Sequence, residues 1–164
     1  RQLIHQPEVL LLDEPTFGVD PISRRDLWLI LHEMVEEGVT VIVSTSYLDE
    51  AERCDRVALL NDGKVLALDT PMNLLTLLPG VLVSVQIPEP RRVRDRMGAL
   101  PGVASTALFG NSVHALLKEG VSDVSEFTAL LRGIGLEPDR VEPVEPSLED
   151  VFLHLVRDGE VIRG

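Results

Sequence analysis

Residues 9–16, Val-Leu-Leu-Leu-Asp-Glu-Pro-Thr, are the stretch that says most about the fold. Four apolar residues in a row, followed abruptly by Asp13 and Glu14, predict a short strand that is buried on both faces and runs out into a loop. Strands of this kind belong to parallel sheets that are covered by helices. The stretch therefore predicts an α/β architecture with its chemistry at the carboxyl ends of the strands.

The next residues along the chain complete a βαβ unit. Asp20-Pro21 predicts the start of a helix, because Asp is a favoured N-cap and Pro fits the first helical position. Apolar residues then recur at helical spacing as far as Gly38, and residues 40–43, Thr-Val-Ile-Val, predict a second buried strand. We expect a right-handed crossover between the two strands.

A change in the pattern at Leu78-Pro79-Gly80 predicts a domain boundary. Before it, Asn61-Asp62-Gly63 predicts a hairpin and Thr70-Pro71 a short helix. Beyond it, the predicted order of elements is β-α-β-β-α-β, which is typical of a small ferredoxin-like α+β sandwich. We therefore predict an α/β domain over residues 1–78 and an accessory α+β domain over residues 79–164.

The last predicted helix starts at a recognisable cap. Ser147-Leu148-Glu149-Asp150 resembles a capping box in which Asp replaces the usual Glu, and the helix should run through Val156. We expect Phe152 and Leu155 on this helix either to seal the small domain or to contact a partner.

Composition restricts the classes of partner. The 164 residues include 15 Lys and Arg against 27 Asp and Glu, a net charge of −12. Nucleic-acid binding rests largely on Lys and Arg that neutralise phosphates, so no nucleic-acid partner is expected. Docking on an anionic membrane surface is disfavoured for the same reason.

Cys54 is the only cysteine, which excludes an intrachain disulfide and a cysteine-cluster zinc site. No apolar run approaches the roughly 18–20 residues that a bilayer span needs. No secretory signal opens the chain either. We expect a soluble chain whose contact with a membrane, if it has one, is made through a partner.

Asp13 and Glu14 are the first candidates for chemistry. Phosphoryl-transfer enzymes need one carboxylate that holds Mg²⁺, usually through water, and one group that positions the attacking water. Two adjacent carboxylates at the end of a rigid strand would supply both. Taken alone, however, Asp-Glu-Pro is also a plain polar strand exit, so the neighbouring residues must decide.

Those neighbours resemble a known family. Leu10-Leu11-Leu12-Asp13-Glu14-Pro15-Thr16 resembles the Walker B strand of ATP-binding-cassette (ABC) proteins, a group of P-loop NTPases. Further segments resemble the later motifs of that family. Phe17-Gly18-Val19-Asp20-Pro21 resembles the D-loop, and Val41-Ile42-Val43-Ser44-Thr45 resembles the strand before the switch-histidine loop. Tyr47–Glu52 and Asp55–Val57 resemble the segments that usually follow that loop, and Asp62-Gly63-Lys64-Val65 and Thr70-Pro71 resemble the closing hairpin and helix. The resemblance covers residues 1–78, and linked motifs at matching spacing are far more specific than one motif.

The resemblance implies roles for particular residues. Asp13 would bind Mg²⁺ through water, and Glu14 would act as the general base for the hydrolytic water. Asp20 would couple two nucleotide sites across a head-to-tail dimer of cassettes. Ser46 occupies the position of the switch histidine. ATP and Mg²⁺ are the implied cofactors.

The resemblance also implies partners and a location. The chain looks most like the ATPase subunits of multidrug and drug-efflux exporters, whose short C-terminal domain ends in a Pro-Ser-Leu-Glu-Asp-Val-Phe segment, here Pro146 to Phe152. Such a subunit would pair with a second cassette and a transmembrane permease subunit. It would lie on the cytoplasmic face of the membrane and couple ATP hydrolysis to export.

Two departures from the family pattern matter. Ser46 is shorter than histidine and has no titratable nitrogen, which suggests a degenerate site, although a loop serine in a site that compensates elsewhere stays open. In addition, no Gly-x-x-x-x-Gly-Lys-Ser/Thr loop and no Leu-Ser-Gly-Gly-Gln signature occurs. Because the first of these cradles the phosphates, we expect a C-terminal fragment that is inactive alone.

Two other classes of function remain as alternatives. The predicted β-α-β-β-α-β domain is shared with regulatory modules that sense small molecules and dimerise edge to edge. A non-transport ATPase of the same superfamily, acting on DNA, is the second alternative. The acidic charge and the segment from Pro146 to Phe152 both oppose it.

Overall fold

A computed structural model describes residues 7–118 and 123–158 of the chain. Within these residues there are eight strands and six helices, and the chain divides into two compact units between Ala51 and Glu52. The predicted boundary at Pro79-Gly80 therefore lies inside the second unit, and the division into domains 1–78 and 79–164 stays a prediction.

The first unit is a parallel βαβ arrangement, as the sequence predicts. Strand β1 (Val9–Asp13) pairs in parallel with β2 (Thr40–Ser44), and helix α1 (Pro21–Glu36) connects them. A short helix, α2 (Leu48–Ala51), comes after β2. Helix α1 stops just before Gly38, whose φ of 95° belongs to the left-handed conformation that commonly ends helices.

The second unit opens with the predicted hairpin. Strand β3 (Val57–Asn61) pairs antiparallel with β4 (Lys64–Asp69). Asp62 and Gly63 join them with φ values of 49° and 72°, which is the conformation that Asp-Gly favours in two-residue hairpin turns. Helix α3 (Pro71–Leu75) comes directly after β4.

A four-stranded antiparallel sheet forms the rest of the second unit. Its strands lie in the order β6-β7-β5-β8. Helix α4 connects β5 to β6, and α5 connects β7 to β8, which is the predicted β-α-β-β-α-β order. The elements are β5 (Val81–Gln86), α4 (Pro90–Gly98), β6 (Val103–Phe109), β7 (Ser112–Leu117), α5 (Val124–Gly133) and β8 (Arg140–Pro143).

One face of this sheet forms the main core with α4 and α5. Met97 of α4 and Phe127 and Leu131 of α5 are fully buried against it. The strand residues of this core are aliphatic: Val83, Val85, Val113, Ala115 and Leu117. Each fully buried Val, Leu, Phe or Met side chain stabilises the fold by about 1.5–3 kcal/mol, so this layer is the main source of stability in the unit.

Helix α6 (Leu148–Asp158) covers the opposite face of the sheet. Its side chains face Leu82, His114 and Leu116, which alternate with the residues of the main core, across a cavity of about 20 Å³. Leu155 is buried, and α6 also packs against α3. The helix therefore links the hairpin region to the four-stranded sheet.

A buried carboxylate fixes the start of α6. Asp150 Oδ2 accepts hydrogen bonds from the backbone N–H of Ser147 at 3.0 Å and from its hydroxyl at 2.7 Å, while the Asp150 N–H donates to Ser147 Oγ at 3.4 Å. These contacts confirm the predicted capping box. Asp150 Oδ1 lies 2.8 Å from His114 Nδ1 on β7. One side chain thus caps the helix and ties it to the sheet.

The same contacts set the pKa of Asp150. Burial by itself raises this pKa, but the hydrogen bonds from His114 and Ser147 outweigh it and hold the pKa below the ordinary value of 3.8. A carboxyl whose pKa is lowered in the folded state stabilises the fold above its unfolded pKa. That stability is lost as the pH falls from 3.8 through the lowered value.

We predict that Asp150→Asn lowers the free energy of unfolding by about 2–3 kcal/mol at pH 7, because a charged acceptor of buried hydrogen bonds is lost. Urea unfolding followed by circular dichroism measures this. Glu149→Gln, on the exposed neighbour, is the matched control and should change stability far less. The difference in the free energy of unfolding between wild type and Asp150→Asn should become smaller below pH 3.8. Equal stability of the two variants at pH 7 would contradict this account of α6.

Candidate functional site

The candidate site lies where β1 and β2 end side by side. The parallel register puts Asp13 directly opposite Ser44. The Ser44 hydroxyl donates to Asp13 Oδ1. The N–H of Glu14 donates to the Ser44 carbonyl at 3.0 Å and lies 3.2 Å from Ser44 Oγ. The end of β1 is thus attached to the end of β2 by both backbone and side-chain hydrogen bonds.

Ser46 holds the carboxylate of Glu14. Its backbone N–H donates to Glu14 Oε2 at 3.1 Å, and its hydroxyl donates to the same oxygen at 3.3 Å. Asp13 and Ser46 are exposed and Glu14 is half-buried, so a ligand can reach all three side chains. The structure therefore brings together Asp13, Glu14 and Ser46, three of the four residues that the sequence singled out.

The backbone of Glu14 is unusual. Its φ of 43° lies in the left-handed region, which residues with a side chain seldom adopt. Such conformations persist where the surroundings over-determine them, and they cluster at functional sites. The turn after Glu14 is closed by the N–H of Phe17, which donates to the Glu14 carbonyl at 3.1 Å.

Asp20, the fourth predicted residue, has a different place. Its carboxylate caps α1 by accepting hydrogen bonds from the N–H groups of Ile22 and Ser23 at 3.0 and 3.1 Å. Hydrogen bonding with Ser23, through its side chain first and its backbone second, lowers the pKa of Asp20. The hydrogen bonds described for Asp20 go to α1 and not to Asp13 or Glu14, so its proposed role rests on the loop in which it lies.

Asp13 is the residue that fits a magnesium ion. Mg²⁺ is usually held by one or two carboxylates together with waters and phosphate oxygens. Among the described residues, no group of three or more His, Cys, Asp or Glu side chains could hold a metal without such help. The exposed carboxylate of Asp13 could serve as one ligand of such an ion.

Glu50 is only 1% exposed and is not among the residues that the sequence pattern indicates. Its Oε2 accepts hydrogen bonds from Thr16 Oγ1 at 2.8 Å and from Thr45 Oγ1 at 3.0 Å. Its Oε1 forms an ion pair with Arg24 Nε at 3.4 Å. The sequence does not distinguish Glu50 from Asp49 and Glu52, two acidic residues beside it. Only the structure shows that these two are exposed and that Glu50 is buried.

Two further contacts complete the surroundings of Glu50. The guanidinium of Arg24 lies over the ring of Tyr47, 4.4 Å from its centroid. The N–H of Tyr47 donates to Thr45 Oγ1 at 3.1 Å. Helix α1 and the segment after β2 are therefore joined through polar side chains.

Among the described helices, none is both long and apolar enough to cross a bilayer. A comparison with protein-family models gives no match for the chain.

Curated proteins do match it. The chain is 37% identical over 156 residues to YbhF, a probable multidrug ABC transporter ATP-binding protein of Escherichia coli (strain K12). It is 34% identical over 158 residues to the daunorubicin resistance ATP-binding protein DrrA2 of Streptomyces coeruleorubidus. The Nod factor export ATP-binding protein I of Burkholderia lata is also 34% identical over 158 residues.

These matches cover 94%, 93% and 94% of the chain but 26%, 49% and 49% of the three relatives. The chain thus spans between about a quarter and about half of their length. The similarity includes the segments that carry Asp13, Glu14 and Ser46 as well as the second unit. The chain is homologous to the ATP-binding proteins of multidrug and drug-resistance ABC transporters, which confirms the resemblance found in its sequence.

Proposed function

We propose that this chain is the C-terminal part of an ATP-binding cassette that couples ATP binding and hydrolysis to export through a membrane partner. The observation that carries the proposal is the hydrogen-bonded group formed by Asp13, Glu14 and Ser46 at the carboxyl ends of two parallel strands. Ligands of α/β proteins bind at this edge of the sheet. The homology to transporter ATP-binding proteins supports the same conclusion.

In this proposal, Asp13 and Glu14 divide the chemistry. Mg²⁺ bound with ATP supplies positive charge at the β- and γ-phosphates. Asp13 would hold this ion through water with its exposed carboxylate. Glu14 orients the attacking water and takes its proton, while the water oxygen bonds to the γ-phosphorus and the bond to the bridging oxygen of ADP breaks. Since Ser46 donates to Glu14 Oε2, Oε1 is the oxygen available to the water.

Ser46 makes this site an impaired one in our proposal. Its N–H and hydroxyl are both directed at the Glu14 carboxylate, so the hydroxyl is not aimed at a phosphate. A histidine at this position would reach further from the backbone. The proposed site is therefore degenerate in the longer protein.

The remaining parts of the cassette must come from outside this chain. Leu11 and Ile42 lie on one face of the two-stranded sheet and are 71% and 56% exposed. Parallel sheets are normally covered on both faces, and two strands alone are marginally stable. We propose that further strands and helices of a longer chain cover this face and supply the glycine-rich phosphate loop.

Partners are proposed on the same basis. Phe17 and Ile22 flank Asp20 and are each 75% exposed, so the proposed D-loop presents apolar surface to a second cassette. A transmembrane permease subunit would hold the assembly at the cytoplasmic face of the membrane. The net charge of −12 continues to oppose a nucleic-acid partner.

For residues 79–164, which include the four-stranded sheet, we propose an accessory ferredoxin-like domain with a packing or oligomerisation role. The strand order β8-β5-β7-β6 and the two connecting helices on one face support this assignment. The cavity under α6 does not favour the alternative of a ligand-sensing module. The cavity under α6 has about 20 Å³, room for one water, whereas small-molecule pockets take about 300–1,000 Å³.

We predict that the 164-residue chain binds Mg-ATP with a dissociation constant no tighter than about 1 mM, because one carboxylate cannot replace a cradle of N–H donors. Isothermal titration calorimetry with Mg-ATP is the measurement. A longer protein that includes the phosphate loop serves as the positive control. A micromolar dissociation constant for the chain alone would show that the proposal has misplaced the phosphate-binding groups.

In the longer protein, we predict that Ser46→His raises ATP turnover and that Glu14→Gln lowers wild-type turnover by less than about tenfold, because Ser46 has already impaired this site. Steady-state phosphate release measures both. Glu33→Gln, an exposed position on α1, is the matched control for the loss of charge. If Ser46→His brings no gain while Glu14→Gln abolishes all activity, the degenerate-site proposal is wrong.

A further inference from the structure

Glu50 connects the two segments that carry the candidate reacting groups. Thr16 lies two residues after Glu14, and Thr45 directly precedes Ser46. The hydroxyls of both threonines donate to one oxygen of Glu50, at 2.8 and 3.0 Å. One atom therefore holds the turn after β1 and the turn after β2 at a fixed separation.

Glu50 lies in a buried network of hydrogen bonds and an ion pair. Thr16 is 0% and Glu50 1% exposed, and a carboxylate buried to this degree is costly unless it is paired and hydrogen-bonded. Arg24 supplies the opposite charge and is itself held over the ring of Tyr47. The contacts are specific, and they extend from α1 to both turns.

The conformation of Glu14 depends on the turns after it. The left-handed backbone at Glu14 leads into two successive turns, closed by Phe17 N–H to the Glu14 carbonyl and by Val19 N–H to the Thr16 carbonyl, both at 3.1 Å. Both turns contain Phe17 and Thr16, and it is Thr16 whose side chain Glu50 holds. Anchoring its side chain keeps the strained turn from relaxing, and with it the Glu14 carboxylate stays against Ser46.

We propose that Glu50 is a positioning residue, which holds the Glu14 carboxylate against Ser46 by clamping Thr16 and Thr45. Its importance for catalysis rests on the proposed ATPase function, but the positioning itself is a property of this chain. Glu50 is buried behind the turns and acts only through the residues that it holds.

The test is an NMR titration of the whole 164-residue chain. The Ser46 amide donates to Glu14, so its chemical shift should track the ionisation of the Glu14 side-chain carboxyl, observed at its Cδ carbon. In Thr16→Val, which keeps the shape but loses the hydroxyl, and in Glu50→Ala, the Ser46 shift change should fall to about half or less. Asp49→Asn, the exposed acidic neighbour on α2, should titrate like wild type.

A conservative variant separates positioning from general stability. Glu50→Gln keeps an oxygen that can accept from both threonines but loses the charge that pairs with Arg24. It should retain more of the Ser46 shift change than Glu50→Ala does. Thr16→Val carries the test if Glu50→Ala fails to fold.

An unchanged Ser46 titration in folded Thr16→Val or Glu50→Ala would overturn the proposal. The outcome is independent of the proposed function. A longer wild-type protein that does not hydrolyse ATP would remove the ATPase assignment and leave the NMR result standing. An active ATPase together with an unchanged Ser46 titration in the variants would remove the positioning role of Glu50 and leave the ATPase assignment standing.

Discussion

The parallel pairing of β1 with β2 is the constraint on which the candidate site depends. Because Asp13 lies opposite Ser44, the two segments leave the sheet at the same edge, and Glu14 and Ser46 meet just beyond it. Successive side chains of a strand point to opposite faces, so a slip of β2 by one residue would move Ile42 to the other face of the sheet and separate Asp13 from Ser44. Strand register thus determines both which apolar residues are covered and which polar residues meet.

In each unit, a buried carboxylate connects several helices, strands or turns through hydrogen bonds. In the first unit, Glu50 joins two turns and α1. In the second unit, Asp150 caps α6 and binds His114 of β7. Each carboxylate accepts a hydrogen bond from a segment that is distant in sequence. A buried carboxylate without hydrogen-bond donors is very unfavourable, so few other arrangements of these segments are possible. Both residues specify the placement of loops and helices, while the aliphatic layers supply most of the stability.

Helix starts and turns that depend on residues close together in the sequence were predictable. Asp20-Pro21 starts α1, Asp62-Gly63 turns the hairpin, and Ser147 with Asp150 forms the predicted cap. The meeting of Asp13, Glu14 and Ser46 could be expected from motif order and parallel strands. The role of Glu50 could not, because its partner Thr16 is 34 residues away and burial cannot be told from residue type. The same holds for the contact of His114 with Asp150, which spans 36 residues.

The central claim is that the joined ends of β1 and β2 face the phosphates and metal of a bound nucleotide. Ferrous ion in place of Mg²⁺ tests this most directly, since with ATP, ascorbate and peroxide it cuts the polypeptide next to the metal site. In the longer protein, mass spectrometry should find ATP-dependent cleavage beside Asp13 and beside Ser46. Cleavage that ignores ATP, or that falls only outside these two segments, would contradict the account.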